Sequence, residues 1–452
     1  MTITIPSRSL LRAVRKAYGH TLTSYINAVA DRHTALGFGH MARNRAKVCR
    51  WQKDTEPEMP AQLAMADLHR VDPKEVKARG WPNWLLLALP GPDVLAPFTP
   101  EVTLSALDDL AADPARANAG AFPLLPADVL ADLAERWTEH VQGAIAQGVS
   151  GGYVGGEVST AIHARLTGLW HLDDSLGGAP CATSARSDLT MVTRLLRHSR
   201  HTGQLTADLH FLAAEYARFL GWAEFDAGNT AAAQRAWHVA LRASAESPDP
   251  AHSAYLLANL ALACIYDNQP ATGTAMLASA RDIAGSRTTP LVAAMIDTWR
   301  VRAAAASGDA RQAVRLLQQA ETEFERARAG DTNPAWAYWM CRPSHMAETG
   351  RAFLDLGDPV TAETLLSDGL AGLKPGEQRD RVLYLTWIAT CQARQHNLDA
   401  AAHTATAALD SADRVESGRC TALLTSLAAE LTPHQDAASV GIVLERLNAT
   451  AL

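Results

Sequence analysis

The sequence predicts an all-α fold, a small basic helical domain at the amino terminus followed by an array of antiparallel helix pairs. Three observations carry that expectation. Alanine dominates many segments, while β-branched or aromatic runs of strand length are scarce, which favours helix over sheet. Short polar turns recur at Gly228-Asn229, Asn268-Gln269, Gly308-Asp309, Gly357-Asp358 and His396-Asn397, spaced 40, 40, 49 and 39 residues apart. Charge is also split along the chain. Residues 1–53 hold ten Lys/Arg against one acid, Asp31, so a head of +9 precedes a body of −16 in a 452-residue chain of net charge −7. A basic head on an acidic body points to a polyanionic partner for the head alone.

A chain of this length exceeds one compact core and calls for several units or an elongated array. The expected division is a head over 1–85, a linker over 86–125, a helical connecting region over 126–204 and repeats over 205–452. Six scattered cysteines form no CxxC pair, so neither a zinc site nor a disulfide framework is expected, and no cofactor is. The first residues carry no apolar stretch of leader length, and no run reaches the roughly 18 apolar residues that span a bilayer. The expected compartment is the cytoplasm.

Within the head, the first helix is expected over Leu22–Leu36, stopping at Gly37. A short element at His40–Arg43 follows. Arg45–Lys53 comes next, with Asn44 as N-cap and Val48 and Trp51 three apart on a core-facing side. Pro60–Leu68 makes another helix. The last opens at Asp72-Pro73-Lys74-Glu75, a capping box with proline at the first helical position, and closes at Gly80.

Counting from the second residue of each recurring turn sharpens the repeat. Four residues on stand Ala233, Gly273, Ala313, Ala362 and Ala401. Eleven on stand Ala240, Ala280, Ala320, Gly369 and Ala408. Eight on stand Trp237, Leu277, Leu317, Leu366 and Ala405, four of them large. Two helices joined by a short turn approach closely only where side chains are small, and need a larger knob one turn along. This small–large–small signature resembles the tetratricopeptide repeat over roughly residues 205–415. The units are longer than the family's 34 residues, and Leu220-Gly221-Trp222 is the nearest echo of its first-helix motif. Residues 418–450 read as a degenerate capping pair. Nine extra residues around Ala327–Tyr338 (ARAGDTNPAWAY) set a longer loop at one edge. The resemblance implies a right-handed helical superhelix.

The run NRAKVCRWQKDTEPEMPAQLAMADLHRVDPKEV resembles the second half of a phage-repressor-like (XRE-type) helix-turn-helix domain. GWPNWLLLALPG and LWHLDDSLGG resemble segments of actinobacterial regulators that join such a head to tetratricopeptide repeats. By that resemblance Arg45–Lys53 is the recognition helix. Asn44, Arg45 and Lys47 are then expected at base edges, with Arg43, Arg50 and Lys53 on phosphates. The sequence departs from the family pattern in two places. The helix before the recognition helix is read as shortened to Phe38–Arg43, and Asp54-Thr55 replaces the customary glycine.

No catalytic set is ordered by spacing, and a non-enzymatic protein is expected. The glycine run at Gly148–Glu157 lacks the Gly-Lys-Ser/Thr step of a phosphate loop. His345-Met346-Ala347-Glu348 is half of a zinc-protease signature, with Thr349 where the second histidine belongs. Asp173-Asp174 reads as a helix cap or surface charge. A ligand site is expected instead on the first helices of the repeats, from Tyr255, Asn259, Trp299, Arg300, Arg302, Trp336, Trp339, Arg342, Tyr384 and Trp387. The leading expectation is therefore a homodimeric transcription regulator that binds double-stranded DNA and senses a peptide, small molecule or protein partner. The rival is a tetratricopeptide adaptor that binds no DNA.

Overall fold

The computed structural model describes residues 7–53, 55–89, 96–112, 125, 129–137, 156–198, 203–247, 249–328 and 330–450. The described residues include helices and turns but no strand. The chain divides into two compact units. One comprises Met1–Val102 with Asp113–Trp137, the other Thr103–Ala112 with Thr138–Leu452. The expected glycine run lies outside the described residues but for its last two, as do residues 90–95 and 113–124 of the expected linker.

In the first unit, α1 (Ser7–Ala17), α2 (Leu22–Ala35), α3 (Arg45–Trp51), α4 (Met59–Leu68) and α5 (Pro73–Arg79) surround one apolar core. The local chemistry accounts for their boundaries. Thr21 and Ser24 form a reciprocal capping box on α2. Gly37 takes φ 81° behind the helix, and the Phe38 N–H bonds back to the His33 carbonyl. Asn44 caps α3 by accepting from the Ala46 N–H at 2.9 Å. Asp72 caps α5 with Pro73 at its first position, accepting from the Lys74 N–H at 2.8 Å. Val48 and Trp51 are buried, as their spacing predicts. No helix forms at His40–Arg43, which corrects the expected short element. The helix preceding α3 is α2 itself, fully formed, and the connection between them is the nine residues 36–44. Glycines at 37 and 39, both in the left-handed region, keep that stretch from continuing α2.

The second unit contains α6 (Pro100–Ala112) in part, α7 (Gly156–Leu176) and α8 (Gly178–His198), then six antiparallel pairs. These are α9 (Gly203–Asp226) with α10 (Thr230–Ser244), α11 (Pro250–Tyr266) with α12 (Pro270–Ala284), and α13 (Pro290–Ala306) with α14 (Ala310–Arg326). They continue with α15 (Arg342–Asp355) and α16 (Pro359–Ala371), α17 (Gln378–Arg394) and α18 (Leu398–Ala412), and α19 (Gly418–Leu431) and α20 (Ala438–Thr450). The first five pairs are joined by one device used five times. The first turn residue, Gly228, Asn268, Gly308, Gly357 or His396, sits at positive φ between 56° and 85°. The second sends its N–H back to a carbonyl five residues earlier, as in Asn229 to Glu224 and Asp358 to Phe353. That is a Schellman end, which satisfies the orphan carbonyls of the first helix. The same second residue is the N-cap of the next helix, and Asp309 and Asp358 also accept from the backbone N–H of Gln312 and Thr361.

Close approach follows from the small positions. All ten are buried, and so are Trp237, Leu277, Leu366 and Ala405 between them, while Leu317 packs at the edge of its core cluster. The tightest contact lies in the first pair. A Cβ placed on Gly221 would stand 2.2 Å from Trp237 Nε1 and 2.4 Å from its Cδ1. Trp237 in turn donates to the Arg218 carbonyl at 3.2 Å, so the ring is held in place.

The array does not run open-ended. The helices α17 and α19 of its last pairs return to pack on α7 and α9. At that junction Gly418 lies so near the α9–α10 turn that a Cβ would meet the Ala227 carbonyl oxygen at 2.6 Å. The first helices of the repeats thus face one another around a common interior.

Replacing Gly221 by alanine should lower the urea midpoint by the equivalent of about 1–3 kcal/mol, because Trp237 can yield only by breaking its bond to Arg218. Gly330→Ala is the control, since nothing lies within 4 Å of that position. It should stay within about 0.5 kcal/mol of the parent. Equal midpoints for the two variants would show that the α9–α10 contact is loose.

Candidate functional site

The interior holds a cavity of about 150 Å³, room for about one benzene-sized group. Every first helix contributes to its wall. Trp170, Asp173 and Asp174 come from α7, Arg218 and Trp222 from α9, and Tyr255 and Tyr266 from α11. Trp299 and Arg302 come from α13, Tyr338 and Trp339 from the long loop, and Glu348 from α15. Arg379, Asp380, Tyr384 and Trp387 come from α17, and Arg419 from α19.

Aromatic stacking builds the wall. Tyr255 lies parallel to Trp299 at 6.0 Å and to Trp336 at 4.6 Å, and Trp299 stacks on Trp339 at 5.5 Å. Trp339 donates its indole N–H to the Tyr255 hydroxyl at 3.1 Å. Trp170 stacks on Tyr338 at 5.6 Å, and Tyr384 on Trp387 at 6.0 Å. These planes are desolvated hydrocarbon with negative faces, suited to flat or cationic groups.

The four arginines of the wall already have partners. Arg218 grips buried Glu215 through two bonds of 2.8 Å, and His252 Nε2 lies 2.8 Å from the same carboxylate. Burial pushes the Glu215 carboxyl up, but the Arg218 charge and the bonds from His252 and Arg218 outweigh this and hold it at about 2. Arg302 donates to Glu348 at 2.6 Å. Arg379 reaches Asp226 at 2.8 Å and Asp173 at 3.2 Å, and Arg419 pairs with the other oxygen of Asp226 at 2.8 Å. Asp226 is itself almost wholly buried, so one carboxylate at the end of α9 ties α17 and α19 to the start of the array.

Two wall carboxylates lack a cation at ion-pairing distance. Asp174 accepts only the Tyr338 hydroxyl, at 3.2 Å. Burial pushes its carboxyl up to about 6, Asp173 and Asp380 adding to the rise, while Arg379 and the Tyr338 bond oppose it. Asp380 is raised as well, chiefly by burial, with Arg379 and Arg419 opposing. Hydrogen bonding is also incomplete. The indole N–H groups of Trp170 and Trp387, both buried, have no acceptor, nor do the Nε atoms of Arg302 and Arg379.

Of the residues expected at a ligand site, Tyr255, Trp299, Arg302, Trp339, Tyr384 and Trp387 line this cavity. Asn259 stands behind it, accepting from Trp222 Nε1 and donating to the Tyr255 carbonyl, both at 2.6 Å. Trp336 backs Tyr255 from the core. Arg300 pairs with Asp297 at 2.7 Å, and Arg342 is turned to Glu321, so neither reaches the cavity. Sequence reasoning passed over Trp170, Arg218, Tyr338, Arg379, Asp380 and Arg419, and treated Asp173-Asp174 as a cap or surface charge. Both of those aspartates instead face the interior. Their only sequence signal was a pair of acids ending a helix beside a tryptophan. His345 is buried, bonded to Thr298 at 2.7 Å and Glu321 at 3.0 Å, and belongs to no metal-binding group among the described residues.

In the first unit, Arg43, Asn44, Arg45, Arg50 and Lys53 are exposed and Lys47 half-buried. Arg43 is paired with Asp31 at 2.5 Å, and the Asn44 oxygen is taken by its cap. Among the described residues Arg45, Lys47, Arg50 and Lys53 form no ion pair.

No protein-family model matches the chain, and no curated protein does. Among solved structures it is similar to nearly identical TPR-like repeats of a kinesin light chain from Podosopora anserina. Identity there is 17% and the TM-score 0.32, over 44% of this chain and 95% of that one. It is also similar to Rap protein complexed with competence and sporulation factor. Identity is 14% and the TM-score 0.41, over 72% of this chain and 98% of that one. Neither likeness bears on what this chain binds. The tetratricopeptide-like repeat fold is displayed by its own five turns and paired helices. No helix of the described residues is long and apolar enough to cross a membrane.

Two outcomes follow from this geometry. Asp226→Ala leaves two largely buried guanidinium groups short of a partner and should cost about 3 kcal/mol of stability, read by chemical unfolding. An unchanged midpoint would mean that the junction is held by packing alone. Because the folded-state carboxyl of Glu215 is depressed, its stabilisation is complete above the ordinary glutamate value and fades as pH falls from about 4.5 towards 2. Glu215→Gln should therefore flatten the loss of thermal stability across that window, and a slope equal to the parent's would sink the assignment.

Proposed function

We propose that this chain is a ligand-responsive, DNA-binding regulator, non-enzymatic, whose repeats form a receptor and whose head meets the duplex. One observation carries the DNA half. Helix α3 and the turn that follows it present Arg45, Lys47, Arg50 and Lys53 without an acidic partner, in a chain whose wall arginines are each matched to a carboxylate. Cations left unpaired on one short segment serve a polyanion. The resemblance of this segment to phage-repressor-like heads of actinobacterial regulators supports the same reading. Arg45 and Lys47 are suited to base edges and Arg50 and Lys53 to phosphates. The receptor half rests on the interior cavity, whose walls come from seven different helices and the long loop, so that an occupant touches the whole array at once.

In this reading the regulator acts as a homodimer, with two heads meeting half-sites about one helical turn apart. Ligand in the cavity biases the array towards one arrangement and so shifts the population of head spacings that fit DNA. The adaptor reading draws on a different observation. Nine residues separate α2 from α3, where a DNA-binding helix-turn-helix uses three or four.

The test is binding of the full chain to a random-sequence duplex pool, followed by salt titration on the selected sequence. The parent should lose affinity steeply with salt. Lys53→Ala should reduce the salt slope by about one, and Arg45→Ala should weaken binding by about 1–3 kcal/mol and relax sequence preference. No duplex binding at low salt would leave the adaptor.

A further inference from the structure

The charges around the cavity do not balance. Its arginines are satisfied by Glu215, Asp226, Glu348 and Asp173, which leaves Asp174 and Asp380 as surplus negative groups set among aromatic faces. Hydrogen bonding is out of balance the opposite way. Trp170 Nε1, Trp387 Nε1 and the Nε atoms of Arg302 and Arg379 are buried donors with no acceptor. Burial makes both imbalances costly. A cationic occupant corrects the first of these, bringing positive charge to the two carboxylates. The unpaired donors have no surface open to the cavity, so its occupant does not reach them. An anion would aggravate the carboxylates, and a neutral aromatic would leave them unpaired.

We infer that the cavity receives a small organic cation, a protonated amine or guanidinium about the size of one amino-acid residue. Asp174 and Asp380 take the charge, and Trp170, Tyr338 and Trp387 supply ring faces for it. This inference rests on the reading of the cavity as a ligand site. The same chemistry is offered by a free amino amide and by the basic end of a peptide.

Ionisation supports the assignment. The groups facing Asp174 are Asp173 on its own helix, Tyr338 from the long loop with His171 against its ring, and Arg379 and Asp380 from α17. With Asp174 raised to about 6, chiefly by burial, its charged form is disfavoured. A cation offsets that penalty, so affinity should climb as pH rises through 6 while the amine stays protonated.

The experiment is calorimetry and thermal-shift titration of the full chain with argininamide and lysinamide. Nα-acetylcitrullinamide and Nα-acetylnorleucinamide serve as uncharged probes, and N-acetylglutamate as an anion. A pentapeptide with one amino-terminal lysine is compared with lysinamide to separate the two sources. Argininamide, lysinamide or the pentapeptide should bind saturably, and the first two better than the uncharged probes. Asp174→Asn and Asp380→Asn should each weaken binding roughly tenfold or more. Without ligand, those variants should be at least as stable as the parent at neutral pH, since each removes a half-buried charge that has no cation at ion-pairing distance. That separates lost binding from lost folding. A His171→Gln background keeps the neighbouring imidazole out of the pH profile. Equal binding of the charged and uncharged probes, or tightest binding of N-acetylglutamate, would overturn the cation while leaving a receptor. Binding of none of the probes would overturn both.

Discussion

One buried carboxylate holds the repeat unit in its observed form. Asp226 ends α9, and its two oxygens engage Arg379 of α17 and Arg419 of α19, residues more than 150 positions further along the chain. Repeat stacks ordinarily contact only their neighbours in sequence, so stability accumulates pair by pair. Here the junction adds a long-range term. Ser417 also sends its hydroxyl to the Asp226 carbonyl, and Gly418 lets the two backbones approach without a side chain between them. Charge pairing and close packing therefore coincide at one place.

That junction makes the interior a cavity instead of an open groove. With α17 and α19 drawn against α7 and α9, aromatic residues from separate repeats come into stacking distance and polar groups lose their water. Loss of water is what raises Asp174 and Asp380 and leaves indole N–H groups without acceptors. The same desolvation strengthens every pairing that does form, as the depressed carboxyl of Glu215 beside Arg218 demonstrates.

Local order was legible and long-range closure was not. The five turns announce themselves through residue types that a left-handed C-cap and an N-cap require, and the small positions through the need for helices to touch. Both rules operate within about a dozen residues. Tyr255, Arg302 and Trp387 could be assigned to first helices, which line the inner face of such a stack, and Trp339 to the neighbourhood of the long insertion. The turn of Arg342 towards Glu321 could not be read, because that acid belongs to the preceding helix. Asp173 and Asp174 carried no local sign of their role, since their partners Arg379 and Tyr338 lie 206 and 164 residues away. In the head, Asn44 located the start of α3 correctly, and the helix ends at Trp51, two residues before the expected Lys53. The long helix α2 was followed through to Gly37, but the residues after it were mistaken for a helix when they are the connection.

A stack whose last members must return to its first cannot grow. Open solenoids gain or lose units by duplication and deletion, and each change merely lengthens or shortens a rod. In this chain an added pair would carry Arg379 and Arg419 past Asp226, and a missing one would leave them short of it. Copy number is thus locked by geometry. Variation among descendants of this architecture has to come from exchanging residues on the inner wall, or from the length of the loop at residues 327–338.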